Sequence, residues 1–265
     1  MAVMQEVAPN WRTQVRSAAA QNPEAVLTAV LLTCLVIPGA SGPVSIAIIA
    51  VAIFFAARVL SLYLGNAALM MNRYQLADIC LRAGLWLNPF SIDALKFSGA
   101  LLLLRGDAAG AERLLRRALV LSDHQPSLSA ALSGALLDQG RLREAAAEAR
   151  RAIKLDAKNP VAFLHLAQAE RGINSDPLQI EAHLRAGLVA DPQPHIEATL
   201  RCALADHLIG QRREAEAQLT IRSVEALLPR CAVSHRALLR TRVAELRWSL
   251  GETEVADAHV AQAEP

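Results

Sequence analysis

The sequence predicts an all-α protein, in which an apolar helical hairpin precedes a solenoid of helix-turn-helix repeats. Three observations predict this architecture. The 265 residues are 53% hydrophobic but only 4% aromatic, and Ala and Leu supply most of the apolar side chains, a mixture that favours closely packed helices over strands. A run of 33 residues, 25–57, carries no charge. After residue 65, amphipathic segments recur at a fixed spacing.

The uncharged run predicts a membrane hairpin over residues 23–64. The run exceeds the roughly 18 apolar residues that mark a membrane helix. Two prolines and two glycines within residues 38–43 divide it into two arms, 23–37 and 44–64. Each arm is short for a full crossing, so both a transmembrane and a re-entrant hairpin remain open. Arg58 lies in the second arm, where its side chain can extend to the lipid headgroups.

The arginines that flank the hairpin indicate its orientation. Arg12 and Arg16 lie in the N-terminal segment 1–22, and Arg73 and other arginines follow the second arm, whereas the turn has no Lys or Arg. By the positive-inside rule, both flanks are cytoplasmic. The predicted membrane-interface residues are Arg12, Arg16 and Arg58. The predicted location is a bacterial-type inner membrane, with the repeats in the cytoplasm.

Two other interpretations of the apolar run stay open. The first arm could be a signal peptide with a cleavage site near Ala40, although a second apolar segment follows it directly. The run could also be a buried helix pair of a soluble protein, although such a pair would have a polar face and this run has none.

A helix-turn-helix pattern repeats over residues 58–264. Each second helix follows a Gly or polar turn residue and carries an Ala about five positions later. In the first three copies this residue recurs every 34 positions, as Ala77, Ala111 and Ala145. Gly210 with Ala215, and Gly251 with Ala256, predict two later second helices. The pattern gives five or six repeats.

These residues resemble the tetratricopeptide repeat family. The matching positions include Leu64-Gly65 and Ser98-Gly99 in first helices, and the closest match is GRLREAAAEARRAIKLDAKNP at 140–160. The resemblance implies an α-solenoid in which Gly and Ala let neighbouring helices approach closely. The chain departs from the family pattern where Leu or Ala replaces aromatic residues, and its linkers at 172–178 and 225–236 are irregular.

The pair Leu64-Gly65 falls where the first helix of the first repeat should carry it. The second membrane arm should therefore continue from Arg58 to Gly65 as one rigid helix and become the first repeat helix without a linker. A break near Gly65-Asn66 is the alternative that helix propensity allows.

No motif indicates catalysis or a cofactor. The chain has no phosphate-binding loop and no HExxH, CxxC or GxSxG motif. Its four cysteines are far apart, and His165 and His183, which could face each other across a repeat, have no partner at metal-binding spacing. The net charge of +2 is not that of a nucleic-acid binder. We expect no enzyme activity, no cofactor, and no metal, nucleic-acid or small-molecule ligand.

The family resemblance implies a concave surface lined mainly by the first helix of each repeat. Its mixed, weakly charged lining suits a bound helix or extended peptide, although some of its residues will pack against a neighbouring helix. The predicted groove residues are Asp93, Lys96, Leu103, Ala130, Leu137, Leu164, Gln168, Arg171, Leu200, His207, Thr241 and Glu245. Arg236, Arg240 and Arg247 are predicted to form a basic face, which meets anionic lipid, an acidic partner or solvent.

The predicted function is a membrane-anchored scaffold that recruits or assembles proteins, including integral membrane proteins, in contact with membrane lipid. Two short spans followed by such repeats also resemble the two-span repeat subunit of Pel-type exopolysaccharide synthase complexes, which implies a role in holding a glycosyltransferase at the membrane. The alternative is a periplasmic assembly factor for secretion, pili or cytochrome maturation. The short turn at 38–43 does not offer the long loop usual in the cytochrome-maturation relatives.

Overall fold

A computed structural model describes the backbone of residues 43–263 and the side chains of residues 49–263 other than Ser234. The first predicted membrane arm, most of the turn, Arg12 and Arg16 lie outside the described residues. Within them, every regular element is a helix, which confirms the all-α prediction. The α-helices of this part are α1 (Pro43–Met70), α2 (Tyr74–Leu87), α3 (Ile92–Leu104), α4 (Ala108–Leu121), α5 (Pro126–Asp138), α6 (Leu142–Leu155), α7 (Pro160–Gly172), α8 (Pro177–Val189), α9 (Pro194–Gly210), α10 (Glu214–Leu227), α11 (Val233–Ser249) and α12 (Thr253–Ala261).

The helices form consecutive helix-turn-helix pairs, from α1–α2 to α11–α12. The first helices of the middle pairs begin at Ile92, Pro126, Pro160 and Pro194, each 34 residues after the one before. The start of α11 at Val233 comes later because α9 has 17 residues and a 3₁₀ turn, Leu228–Arg230, follows α10. The predicted repeat period is therefore present, and it lengthens near the C-terminal end of the described residues.

The turn inside each pair has the same backbone geometry. One residue in each turn has a positive φ angle, and these residues are Asn72, Gly106, Gly140, Asn174, Arg212 and Gly251. In the third pair, the Gly140 N–H donates to the Leu137 carbonyl and the Arg141 N–H donates to the Leu136 carbonyl, both at 2.9 Å. This is the Schellman arrangement, which satisfies the last carbonyls of the first helix and reverses the chain.

This geometry corrects the predicted alignment of the fifth repeat. The positive-φ residue there is Arg212, whereas Gly210 lies inside the last turn of α9. The packing position of α10 accordingly belongs to Ala217, which is fully buried, and the predicted Ala215 is exposed. The sequence pattern was misleading because the residue with the left-handed backbone conformation is Arg212 and not a glycine. The predicted alignment instead used the nearby Gly210 as the turn residue.

The chain divides between Ala94 and Leu95 into two compact units. In the described part of unit 1, α1 packs against α2 through small residues. A Cβ atom on Gly65 would lie 2.8 Å from Leu81 Cδ2, and a Cβ atom on Gly84 would lie 3.2 Å from Ser61 Oγ. Substituting either glycine would push the helices apart.

Helix α1 is longer than the predicted second arm, and it runs without a break through Arg58, Gly65 and Asn66 to Met70. Its segment Ile49–Met70 is the one stretch among the described residues that is long and apolar enough to cross a membrane. Only 11% of the most apolar part of that segment is buried.

In unit 2, the first helices are closer to one another than the second helices are. The backbones of α5 and α7, of α7 and α9, and of α9 and α11 lie close together, whereas the backbones of the described second helices α6, α8 and α10 do not approach one another as closely. The first helices therefore lie on the inner side of the solenoid, and the second helices lie on its outer side.

Candidate functional site

Four charged side chains form a row across the inner side of unit 2, which we call the inner ladder. Arg171 on α7 donates to the Asp206 carboxylate on α9. Arg242 on α11 donates to the same carboxylate oxygen at 3.1 Å, and to Glu245 Oε2 at 2.6 Å. The four side chains are between 31% and 48% exposed. Because such half-exposed ion pairs contribute only about 0–1 kcal/mol each to stability, the ladder is available to exchange these pairs for contacts with a partner.

The ladder is a stable pattern of charge. Burial lowers the pKa of Arg242, but the hydrogen bond to Glu245 and the charge of Asp206 raise it above its ordinary value, so the guanidinium stays protonated.

Cys202 is only 2% exposed, and burial raises its pKa to about 12. Its thiol therefore stays neutral at physiological pH and acts as an apolar packing group instead of a nucleophile.

Several predicted groove residues are at least partly exposed. Gln168, Arg171, Thr241 and Glu245 are exposed on the first helices α7 and α11. Lys96, Leu103 and Leu137 are half-buried on α3 and α5 of unit 2. Asp93 is half-buried and belongs to unit 1.

Other predicted groove residues are buried, and their prediction as surface positions was wrong. They are Ala130 (3% exposed), Leu164 (7%), Leu200 (0%) and His207 (7%). Leu164 and Leu200 belong to one hydrophobic cluster with residues of α8, and the His207 imidazole donates to the Pro177 carbonyl at 3.0 Å. An inner helix packs against second helices as well as the neighbouring first helices, so more of its circumference is covered than a one-helix projection suggests.

Sequence reasoning missed Asp206 and Arg242, the middle of the ladder. Asp206 follows Arg171 by 35 positions, and Arg242 follows Asp206 by 36. Opposite charges spaced by about one repeat on consecutive first helices are the signal that could have found them.

The predicted basic face is not a free surface. Arg247 is 6% exposed and pairs with Glu225 at 2.8 Å and with Glu252. Arg236 donates to the Cys231 carbonyl at 2.8 Å, and Arg240 donates to the backbone near the end of α12. The prediction was wrong for Arg247 because α10 and the turn before α12 place the carboxylates of Glu225 and Glu252 against this side of α11, where they neutralise the guanidinium.

Arg236 and Arg240 also line a cleft of about 410 Å³ between the end of α10, α11 and α12. Glu225 and His259 lie in the same cleft and contact each other at 3.0 Å. Arg236 and Arg240 donate to backbone carbonyls here, so their main role in this cleft is structural.

Comparisons with known proteins identify the fold. No family model matches the sequence, and no curated protein matches it. Among solved structures, TTC0263, a thermophilic tetratricopeptide repeat protein of Thermus thermophilus, aligns with a TM-score of 0.62 at 20% identity, over 72% of this chain and 99% of that one. The chain has the tetratricopeptide repeat fold.

Two further structures align with this tetratricopeptide repeat chain. PilF of Pseudomonas aeruginosa has a TM-score of 0.56 and 19% identity, over 79% of this chain and 91% of that one. A chain of the APC/C hetero-tetramer Cut9–Hcn1 has a TM-score of 0.66 and 15% identity, over 78% of this chain and 39% of that one. At these identities the similarity establishes the fold and not the function.

Ion pairs also join successive tetratricopeptide repeats on the outer side, and we call them inter-repeat clamps. Arg141, which precedes α6, donates to Glu112 of α4 at 2.8 Å and to Glu144. Arg213, which precedes α10, donates in the same way to Glu181 of α8 and to Glu216, each at 2.6 Å. Each clamp links a second helix to the one that follows it.

The first clamp changes the acidity of its central carboxylate. Partial burial alone would raise the pKa of Glu112. Hydrogen bonds from Gln139, Arg116 and Arg141 more than reverse that effect and lower the pKa to about 2. The carboxylate is therefore charged at all but strongly acidic pH, and the clamp stays intact.

The two histidines that could face each other across a repeat, His165 and His183, each contact another residue. His165 lies 3.0 Å from the Ala130 carbonyl, and burial lowers its pKa. His183 lies 2.7 Å from the buried Glu170 carboxylate, which also accepts from Arg150 at 2.8 Å. Within residues 49–263, no group of three or more His, Cys, Asp or Glu side chains is arranged to hold a metal ion. These histidines hold neighbouring helices together.

Proposed function

We propose that this protein is a membrane-anchored scaffold, in which α1 lies in a bacterial-type inner membrane and the inner ladder binds a protein partner on the cytoplasmic side. The observation that carries the proposal is the dual character of α1. One continuous helix exposes apolar side chains in its first half and packs as a repeat helix in its second half.

The first half of α1 exposes apolar side chains, which is unfavourable in water. Val51, Ile53 and Phe54 are 45%, 63% and 44% exposed, and no charged residue precedes Arg58 in the described part of the helix. A contiguous apolar surface of this kind is rare on a soluble protein and is favourable in lipid. The second half contacts α2 through Ser61 and Gly65, so no flexible linker separates the anchor from the repeat.

The inner ladder supports a protein partner because it offers both signs of charge in one row, next to the hydrogen-bonding side chains of Gln168 and Thr241. A helix or extended peptide that carries a carboxylate and a cation can replace the internal pairs. An anchor in the bilayer brings integral membrane proteins within reach of this surface. An exopolysaccharide synthase complex is one assembly in which such a scaffold would serve.

The membrane part of the proposal is tested by carbonate washing of native membranes and by a reporter fused after Pro265. We expect the protein to stay in the washed membranes and the reporter to be active in the cytoplasm. Release by carbonate would refute the anchor. A reporter that is active only in the periplasm would refute the cytoplasmic orientation and favour the periplasmic alternative.

The partner part is tested with a photo-crosslinking residue at Thr241, on the inner side, and a matched one at Lys154, on the outer helix α6; both positions are exposed. We expect a discrete crosslinked product in native membranes from position 241 and not from position 154. Arg242→Glu should abolish that product, whereas the outer substitution Arg143→Glu should leave it unchanged. Equal products from both positions would refute binding at the ladder.

A further inference from the structure

The cleft between the end of α10, α11 and α12 contains two arginines that no carboxylate balances. Arg236 and Arg240 lie one turn apart on α11, and both are half-buried. Both donate to backbone carbonyls, and no Asp or Glu side chain of the described residues pairs with either guanidinium. On the same helix, Arg242 and Arg247 each pair with two carboxylates. The cleft is therefore a place where α11 keeps positive charge without a carboxylate partner.

The acidic side chain in this cleft is already engaged. The Glu225 carboxylate pairs with Arg247 at 2.8 Å and lies 3.0 Å from His259 Nε2. Glu252 also pairs with Arg247, but it does not line the cleft. Three arginines are thus opposed by two carboxylates, and the cleft and its surroundings stay net positive. A positively charged concave surface attracts anions.

Two buried nitrogens of side chains that line the cleft lack a hydrogen-bond partner among the described residues. They are Nε of Arg240 and Nδ1 of His259. Buried polar groups nearly always bond to protein, ordered water or an ion, so two orphaned nitrogens at one cleft require an explanation. A guanidinium has five N–H donors, and the backbone carbonyls accept from only some of them. The cleft therefore has unused hydrogen-bonding capacity for an anion.

The rest of the lining is largely apolar. Leu228, Pro229 and Val255 form part of the wall, and the cleft volume of about 410 Å³ lies within the range of small-molecule sites. A free inorganic ion would fill only part of this volume. The shape and the lining therefore suit a ligand that joins an anionic group to an apolar part.

We propose that this cleft binds a small phosphate monoester, with the phosphate on Arg236 and Arg240 and the apolar part of the ligand against Leu228, Pro229 and Val255. A phosphate monoester carries between about 1.5 and 2 negative charges at pH 7, and three acceptor oxygens. These oxygens match the donors of two guanidiniums, which bind phosphate through pairs of N–H groups. A carboxylate has only two oxygens and one charge.

This site is independent of the membrane anchor and of the inner ladder. No sequence motif marks it, because its lining comes from residues spread over 225–262. A lipid headgroup could present the same phosphate. The cleft has the volume of a whole small molecule, so we assign the ligand to a soluble compound.

The test is titration calorimetry of the full-length protein in nonionic detergent, with phenyl phosphate as the probe. We expect saturable binding at one site, weakened about tenfold or more by Arg240→Gln, which removes a charged donor. Arg222→Gln makes the same charge change at an exposed position of α10 outside the cleft and should leave the affinity unchanged. Equal weakening by both substitutions would show that only the overall charge matters and would overturn the proposal.

A second pair of variants does not disturb the arginines. Val255 is 44% exposed, so both Val255→Glu and Val255→Gln keep the fold, which circular dichroism checks. The new carboxylate in Val255→Glu should repel the phosphate and abolish binding, whereas Val255→Gln should retain it. Binding that survives Val255→Glu, or a folded wild type that binds no phenyl phosphate, would refute the site.

Three competitors define the ligand. Inorganic phosphate and benzoate should each displace phenyl phosphate only at concentrations at least about tenfold higher, because each lacks one part of the ligand. Inorganic phosphate that competes as well as phenyl phosphate would refute the apolar contact, and benzoate that does so would refute the preference for phosphate. Phosphatidylcholine vesicles with one fifth phosphatidic acid should not compete. If they do, the ligand is a lipid and the assignment to a soluble compound is wrong.

Discussion

Helices α2 and α6 are both the second helix of their repeats. Their buried sides are alike, whereas their exposed sides are opposite in character. Ala77 and Ala145 are both fully buried, and the turns before them both contain a left-handed residue. On the outer side, Trp86 of α2 corresponds to Lys154 of α6. This difference shows that the buried positions of a second helix specify the repeat, whereas its exposed positions specify what the repeat faces.

The largest expected effect on stability comes from a substitution at a buried position. Leu115 is fully buried, and its Cγ lies 3.0 Å from where a Cβ on Gly99 would be. We expect Leu115→Ala to lower the free energy of unfolding of unit 2 by about 3 kcal/mol, because it leaves a cavity in the repeat. Urea unfolding followed by circular dichroism measures this loss. The outer substitution Arg113→Ala is the control and should change stability by less than about 0.5 kcal/mol.

A double mutant sharpens this prediction. Gly99→Ala alone should destabilise, because its new methyl group meets Leu115. In the Leu115→Ala background the same methyl group has room, so its cost should disappear. Additive effects of the two substitutions would contradict the packing described here.

The next effect concerns the inter-repeat clamp and depends on pH. The pKa of Glu112 is lowered in the folded state from 4.5 to about 2. The clamp therefore stabilises the fold above pH 4.5, and this stabilisation is lost as the pH falls towards 2. We expect Glu112→Gln to cost about 1–2 kcal/mol at pH 7.

The difference between Glu112→Gln and the wild type should shrink steadily below pH 4.5. Thermal unfolding at a series of pH values measures it, with Glu254→Gln, an exposed position on α12, as the control. A difference that is independent of pH would show that the carboxylate charge does not stabilise the clamp.

The third effect concerns the turns. Arg212 has a φ angle of 60° where Gly140 has 72° in its own turn. Since a left-handed residue other than Gly costs about 1 kcal/mol, Arg212→Gly should stabilise unit 2 by about that amount. Gly140→Ala should destabilise it by a similar amount. Equilibrium unfolding in urea compares the two variants, and equal signs for both would contradict the shared turn geometry.

We expect the smallest effect on stability when two exposed apolar residues of α2 are replaced by charged residues found at the corresponding positions of later repeats. In Ile79→Arg with Trp86→Lys, both side chains stay on the surface, so the free energy of unfolding in detergent should change by less than about 0.5 kcal/mol. Thermal unfolding measures it. A loss of several kcal/mol would mean that Ile79 and Trp86 pack against protein.

Much of the solenoid was predictable, because its period is local. Ala111 and Ala145 mark second helices at a spacing that the structure reproduces. The fifth repeat was misaligned, because Arg212 adopts a conformation that sequence patterns assign to Gly or Asn. The inner ladder was only half predicted: Arg171 and Glu245 were expected at the groove, but Asp206 and Arg242 were not.

The sequence by itself determined the helical class, the repeat period and the long apolar helix α1, since each depends on side chains that are near one another in the chain. Only the tertiary structure decided which inner-helix residues are free. Leu164 and Leu200 become core and Arg247 becomes buried, because burial depends on which helices pack over a position. The partners of Asp206 lie 35 and 36 residues away on other helices. The packing of neighbouring first helices brings these side chains together, and no pattern within one helix encodes that proximity.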